Sequence, residues 1–195
     1  MDNEVKEPAP KYNFISPKEY LAMERVSEEK HEYFDGYVQA MSGARLKHND
    51  IISNVVGEIH GFLKGKECRI LPSDMRVTTP SNEYYMYPDA QIVCGEPVLE
   101  DDKFDTLTNP SVIIEVLSAS TQHIDKGRKF FFYQQIPSLK EYIMIDSKKR
   151  FIQVARKRQG TLWQFEDINE TSSHLYIETI QFNLSLDEIY YNTDL

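Results

Sequence analysis

Glu115 interrupts the apolar run Val112-Ile113-Ile114-Glu115-Val116-Leu117, which has turn residues on both sides. A short apolar run of that kind reads as a strand buried on both faces. A carboxylate inside it is costly unless it pairs with a cation or binds a metal. A second acid, Asp89, opens another apolar run upstream, in Pro88-Asp89-Ala90-Gln91-Ile92-Val93. If the two strands are neighbours, the carboxylates converge. Magnesium prefers oxygen ligands and takes one or two carboxylates, with water and phosphate oxygens completing its shell. A cation so held activates water and stabilises in-line displacement at phosphorus. A lysine beside it adds charge stabilisation or orients the attacking water. Lys126 and Lys129 follow in the next segment, and Asp125 and Lys129, at i and i+4, share a helical face. Between strand and helix, Ser118, Ser120 and Thr121 offer hydroxyls and backbone N–H groups as a phosphate seat.

Each residue also has a plainer reading. Pro-Asp is a common turn dipeptide, so Asp89 by itself says little. A buried structural ion pair would account for Glu115 equally well. Lys129 alone fits a solvated helix face, with Asp125 as a surface partner of little weight. His48, just before a long amphipathic stretch, reads as a cap or surface residue. Tyr133 and the phenylalanines beside it read as core. No Ser-His-Asp, Cys-His, P-loop or glycine-rich dinucleotide pattern is present, and the 5 histidines show no zinc spacing.

The elements that must position these groups are legible from pattern. Ser16-Pro17-Lys18-Glu19 is a capping signature for a short helix over residues 17–24. Residues 31–38 form a hairpin with Asp35-Gly36 as its type I′ turn, and Glu32 lies on its first arm. Ile51, Ile52, Val55, Val56, Ile59, Phe62 and Leu63 keep a helical period, predicting a helix over 49–64 that stops at Gly65. Residues 69–78 and 84–94 read as two strands joined at Pro80-Ser81-Asn82. A polar loop leads to the strand at 111–117, a helix over 121–135 ended by Pro137, and a strand at 141–146. Helix, three strands, helix and strand over residues 47–146 make an α/β sheet with a parallel pair. Past Asp146 the pattern alternates and breaks often: strands at 150–157, 161–166 and 175–184, the last with Ile180, Phe182 and Leu184 on one face, form an antiparallel extension. Ser185-Leu186-Asp187-Glu188 caps a last helical turn.

The 195 residues fit a single domain over 1–195, with residues 1–12 as a mobile lead-in. Apolar content of 41% and charged content of 27% are those of a globular protein. A net charge of −9 argues against strong non-specific nucleic-acid binding, although a basic face can coexist with acidic ends. Cys68 and Cys94 stand apart on strand-like segments and read as buried reduced thiols. No apolar run approaches membrane-spanning length, and the acidic start of the chain is unlike a signal peptide. A cytoplasmic location is the default expectation.

The chain resembles the Uma2 family (DUF820) of the PD-(D/E)XK restriction-endonuclease-like superfamily. The matching stretches are Tyr33-Phe34-Asp35-Gly36, Pro88 through Val93, Ile114-Glu115-Val116-Leu117-Ser118-Ala119-Ser120-Thr121, Asp125-Lys126-Gly127-Arg128-Lys129 through Tyr133, and Ile136-Pro137-Ser138-Leu139-Lys140-Glu141-Tyr142. They run in order from about Ile15 to Leu186. Singly they are weak, and together at this spacing they are fairly specific. The resemblance implies a restriction-endonuclease-like αβββαβ core, here with an N-terminal helix-hairpin and a C-terminal antiparallel strand extension. It also implies Mg²⁺-dependent (or Mn²⁺-dependent) cleavage of phosphodiester bonds, with DNA as partner. It carries Asp89 and Glu115 onto the motif acids that hold the metal. The superfamily's lysine should follow the glutamate by two residues, where this chain has Leu117. The resemblance places the lysine on the following helix instead, at Lys129, with Lys126 second. An earlier acid is expected too: Glu32 fits best, with Asp74 and Glu58 as alternatives.

Three functions fit these residues: a metal-dependent DNA endonuclease, a nuclease-like fold without cleavage that acts as a binding or assembly module, and a phosphohydrolase on small phosphoesters. Many nucleases cut two strands as dimers, and the aromatic-rich C-terminal strands offer a homodimer interface.

Overall fold

The computed structural model describes residues 14–41, 43–118 and 124–195. The expected lead-in lies outside them. Helix α1 (Pro17–Glu24) starts at a complete capping box, the Ser16 side chain accepting from Glu19 N–H while Glu19 accepts from the Ser16 backbone. Strands β1 (His31–Phe34) and β2 (Tyr37–Ala40) flank Asp35 and Gly36, whose φ values of 46° and 90° give the left-handed two-residue turn expected of Asp-Gly. The long helix α2 (Leu46–Leu63) begins a turn earlier than its apolar period. Then come β3 (Cys68–Pro72), β4 (Arg76–Thr78), β5 (Tyr84–Met86), β6 (Ala90–Cys94), β7 (Thr106–Leu107) and β8 (Val112–Leu117). A π-helical stretch, Ile124–Lys129, runs into the short helix α3 (Phe130–Tyr133). Strands β9 (Glu141–Asp146), β10 (Ile152–Lys157), β11 (Trp163–Ile168), β12 (His174–Ile177) and β13 (Phe182–Ser185) lead to α4 (Leu186–Ile189), which has its own Ser185/Glu188 capping box.

The main sheet has six strands in the order β11-β10-β9-β8-β6-β3, with β8 and β9 parallel. Helix α2, strands β3, β6 and β8, the 124–133 helical segment and β9 are the αβββαβ core. A smaller sheet, β2-β1-β5-β4-β7, packs beside it. Residues 69–78 and 84–94 are therefore not two strands, as their composition predicts. Each divides, and the chain passes from one sheet to the other at Ser73–Met75 and back at Tyr87–Asp89. Pro72 and Pro88 stand at these breaks, where a missing N–H ends a ladder. Likewise residues 175–184 are not one strand but part of the separate hairpin β12–β13, with Ile180 in its turn. This hairpin packs on α2, and the Phe62 and Phe182 rings stack at 4.3 Å.

Strand alternation assigns the two faces of β8. Val112, Ile114 and Val116 face Ile51, Val55 and Ile59 of α2 and the aliphatic residues of β12, β13 and α4. Ile113 and Leu117 face Phe132, Tyr133, Ile136 and the smaller sheet. Glu115 belongs by parity to this second face. The sheet is thus covered on both sides, which is why β8 reads as a continuous apolar run.

The cysteines are not free thiols. Cys68 and Cys94 are bonded across β3 and β6, where they stand directly opposite in the antiparallel register. Lone cysteines on separate segments look unrelated in sequence, and only the strand pairing brings them face to face.

Candidate active site

Asp89 sits one residue before β6, at the point where the chain re-enters the main sheet. Ala90 pairs with Ile114, so Asp89 falls beside Glu115. Two backbone bonds join the positions: Asp89 N–H donates to Glu115 Oε2 (3.3 Å), and Val116 N–H donates to Asp89 Oδ2 (2.7 Å). The convergence expected from sequence is present. Glu115 is 3% exposed, and its Oε1 accepts from Lys129 Nζ (3.1 Å) and Tyr133 OH (3.1 Å).

Lys129 is the hub. Its ammonium lies 2.8 Å from Glu32 Oε1, 3.1 Å from Glu115 Oε1 and 3.6 Å from Asp125 Oδ1, and all four side chains are buried. The Asp125–Lys129 pair is therefore no surface pair. Tyr142 OH donates to the Asp125 carbonyl (3.0 Å), fastening the π-helical stretch onto β9. Glu32 reaches in from the β1–β2 hairpin and also accepts from Tyr87 N–H (3.2 Å). Burial alone would lower the Lys129 pKa. The carboxylates of Glu115, Glu32 and Asp125 outweigh it and hold the ammonium's pKa well above the ordinary value. Burial also pushes the Glu115 carboxyl upward. Lys129 pulls it back, Asp89, Asp125 and Glu32 add their repulsion, and the net direction is up.

His48 joins the site from the first turn of α2. Its Nε2 lies 3.1 Å from Asp89 Oδ2, and because a carboxylate only accepts, Nε2 carries the proton. Burial disfavours the imidazolium, yet the bond to Asp89 keeps the His48 pKa above its usual value. His48 is neither a cap nor a surface residue. A signal was available: counted back from Ile51 and Ile52, it falls on the inward face of the same helical period.

A cleft of ≈ 660 Å³ opens onto this cluster, with Asp89, Glu115, Asp125 and Lys129 among its lining residues and Arg45, Lys47, Ser118 and Lys148 on its walls. The donors present are carboxylate oxygens: among the described residues, the bonds to the Asp89 carboxylate fall on Oδ2, and Glu115 accepts at Oε1 from Lys129 and Tyr133 and at Oε2 from Asp89 N–H. The described residues hold no cluster of three or more His, Cys, Asp or Glu suited to a metal. The donor set is thus a carboxylate pair, the kind that suits a hard cation keeping water and phosphate oxygens in its shell.

The family model Uma2, described as "Putative restriction endonuclease", matches residues 17–187. The chain belongs to the Uma2 family. Two relatives from Synechocystis sp. are similar. "Uncharacterized protein slr1290" is 31% identical over 183 residues, 94% of this chain and 95% of the relative. "Uncharacterized protein sll1609" is 37% identical over 132 residues, 68% and 75%. A crystal structure of "a putative nuclease belonging to DUF820" from Anabaena variabilis shares the fold, with a TM-score of 0.74 at 18% identity, over 90% of this chain and 97% of that one.

Among the residues the Uma2 resemblance singled out, Asp89, Glu115, Lys129 and Glu32 meet. Lys126 does not: it is exposed, its ammonium 5.9 Å from the Phe151 ring, on the side of the π-helical stretch away from Lys129. Asp74 is exposed in a pair with Lys30, and Glu58 is exposed on α2, so neither alternative acid reaches the cluster. Ser118 lines the cleft, whereas Ser120 and Thr121 lie outside the described residues.

Proposed function

We propose that this chain is a divalent-cation-dependent endonuclease that hydrolyses DNA phosphodiester bonds. The observation that carries the reading is the meeting of Asp89, Glu115 and Lys129 at the floor of an open cleft, from three separate elements. Asp89 and Glu115 would hold Mg²⁺ or Mn²⁺, which when bound supplies an activated water and neutralises charge on the phosphate. Tying Asp89 Oδ2 to Val116 N–H and His48 presets the carboxylate's rotation. Lys129, held charged, stands beside Glu115 to orient the attacking water and to offset charge developing at phosphorus. Glu32 and Asp125 fix the ammonium's position. Ser118, Arg45, Lys47 and Lys148 on the cleft walls would contact phosphates flanking the scissile bond. Arg45, Lys47 and Lys148 line the open cleft of an acidic protein, which favours a nucleic-acid phosphate chain over a small phosphoester.

The test is calorimetric titration of Mg²⁺ and Mn²⁺ into wild type, Asp89→Asn, Glu115→Gln and His48→Ala, with plasmid nicking on the same samples. Loss of metal binding and nicking in the two acid variants is expected. His48→Ala should weaken metal affinity roughly 10- to 100-fold, as loss of an outer partner does. A wild type that binds neither ion and leaves the plasmid intact would make the module reading the better one.

A further inference from the structure

Tyr133 closes the aromatic run of α3, and its ring packs as core, fully buried and 5.5 Å from the ring of Tyr142. Its hydroxyl has a separate use. Tyr133 stands four positions after Lys129, and both side chains reach the same oxygen of Glu115. A carboxylate oxygen offers two lone pairs. On Glu115 Oε1 both are taken, by Lys129 Nζ and by Tyr133 OH, each at 3.1 Å. On Oε2 the bond from Asp89 N–H (3.3 Å) takes one, and a second is left. The two donors to Oε1 are not equivalent. Lys129 divides its charge among Glu32, Glu115 and Asp125, whereas the Tyr133 hydroxyl gives its single proton to Glu115.

We propose that Tyr133 is a positioning residue that limits Glu115 to coordination through Oε2 alone, and thereby tilts the site toward Mg²⁺ and away from Ca²⁺. The proposal rests on the reading of Asp89 and Glu115 as the metal-holding pair. Its chemistry is that of ligand count. Mg²⁺ demands near-octahedral geometry, and the narrow bite of a carboxylate taken by both oxygens suits it poorly. Ca²⁺ gathers more ligands at longer distances and readily takes a carboxylate by both oxygens. Selectivity between the two therefore follows the number and freedom of the oxygens on offer. With Oε1 filled from the protein side, Glu115 has one oxygen to give. Removing the Tyr133 hydroxyl frees a lone pair on Oε1 and loosens the rotation of the carboxylate, which favours the larger ion.

Calorimetric titration of Mg²⁺ and Ca²⁺ into the full chain tests it, comparing wild type with Tyr133→Phe and Tyr142→Phe. The ratio of Ca²⁺ to Mg²⁺ affinity should rise on the order of tenfold in Tyr133→Phe. Tyr142→Phe is the matched control: it too removes a buried hydroxyl, one that donates to the Asp125 carbonyl and not to Glu115, so the ratio should stay at the wild-type value. A merely structural role for Tyr133 would weaken both ions together and leave the ratio alone. Infrared spectroscopy of the wild type needs no tyrosine variant to fold. The splitting between the two carboxylate stretches separates one-oxygen from two-oxygen coordination, and Glu115→Gln identifies the Glu115 bands. The one-oxygen signature is expected with either ion. A two-oxygen signature in wild type, a ratio unmoved in Tyr133→Phe while both ions still bind, or an equal shift in Tyr142→Phe would each overturn this proposal and leave the nuclease reading standing. A wild type that binds neither ion would overturn both.

Discussion

Lys129 shows what a residue's neighbours do to its meaning. On a solvated helix it would be worth a fraction of a kcal/mol to stability. Here it is the counter-charge for Glu32, Glu115 and Asp125, all buried. Lys129→Met keeps the volume and leaves three carboxylates facing one another. The expected loss is about 3–5 kcal/mol, the range for breaking a buried pair, read by urea unfolding at neutral pH. The sign of its pH dependence follows. Without the ammonium nothing offsets the burial that raises the Glu115 carboxyl, which then binds its proton more readily folded than unfolded, so the deficit should shrink as pH falls toward mild acidity. A variant as stable as wild type would mean the cluster is solvated in solution. The acids and the lysine were legible as candidates because a charge in an apolar run demands a partner. The Uma2 resemblance put Lys129 ahead of Lys126, but the residues alone did not separate the two lysines; the structure buries Lys129 against Glu115 and leaves Lys126 exposed.

At the scale of elements, helices and turns with strong local chemistry formed as expected: the two capping boxes, the Asp-Gly hairpin and the apolar period of α2 need only near neighbours in the chain. Strands were less legible, because a strand's composition says how buried it is and not which sheet it joins. Residues 69–78 read as one strand by pattern yet serve two sheets, parting at Ser73-Asp74. The long connection between β6 and β8 is likewise held by tertiary partners. Asp105 in it bonds Arg25 just past α1 (2.7 Å) and pairs with Arg76 of β4 (2.9 Å). Burial opposes the Asp105 carboxylate, but Arg25, Thr106 and Arg76 outweigh it and hold its pKa far below the usual range. A depressed carboxyl contributes stability that is present above its unfolded pKa and lost as pH falls through the folded one. The β6–β8 connection should therefore loosen below about pH 4. Hydrogen exchange in that segment should accelerate on acidification in wild type. In Asp105→Asn it should be faster already at neutral pH and depend less on pH. An unchanged profile in the variant would assign the acid response to other groups.

At the scale of the whole molecule, the Cys68–Cys94 bond ties the edge strand β3 to β6, closing a separation of 26 residues. Loop-closure entropy puts its contribution at about 3–4 kcal/mol. Reduction, or Cys68→Ser with Cys94→Ser, should lower the unfolding free energy by that much, and the urea midpoint with it, while leaving the Asp89–Glu115 cluster formed. A midpoint indifferent to reductant would show that strand pairing alone holds the edge. What the sequence by itself determined was local and compositional. It set the elements with short-range signals, the identity of β8 as a buried strand, the family, and the acids that had to find partners. The tertiary structure decided everything that depends on which strands are neighbours: the division of residues between two sheets, the bond between two distant cysteines, the burial of Glu32 and Lys129 in one cluster with Glu115, and the recruitment of His48 to Asp89. The reason is physical. A local signal is carried by covalently adjacent residues, whereas convergence at a site depends on chain crossings between distant segments, which composition and periodicity do not encode.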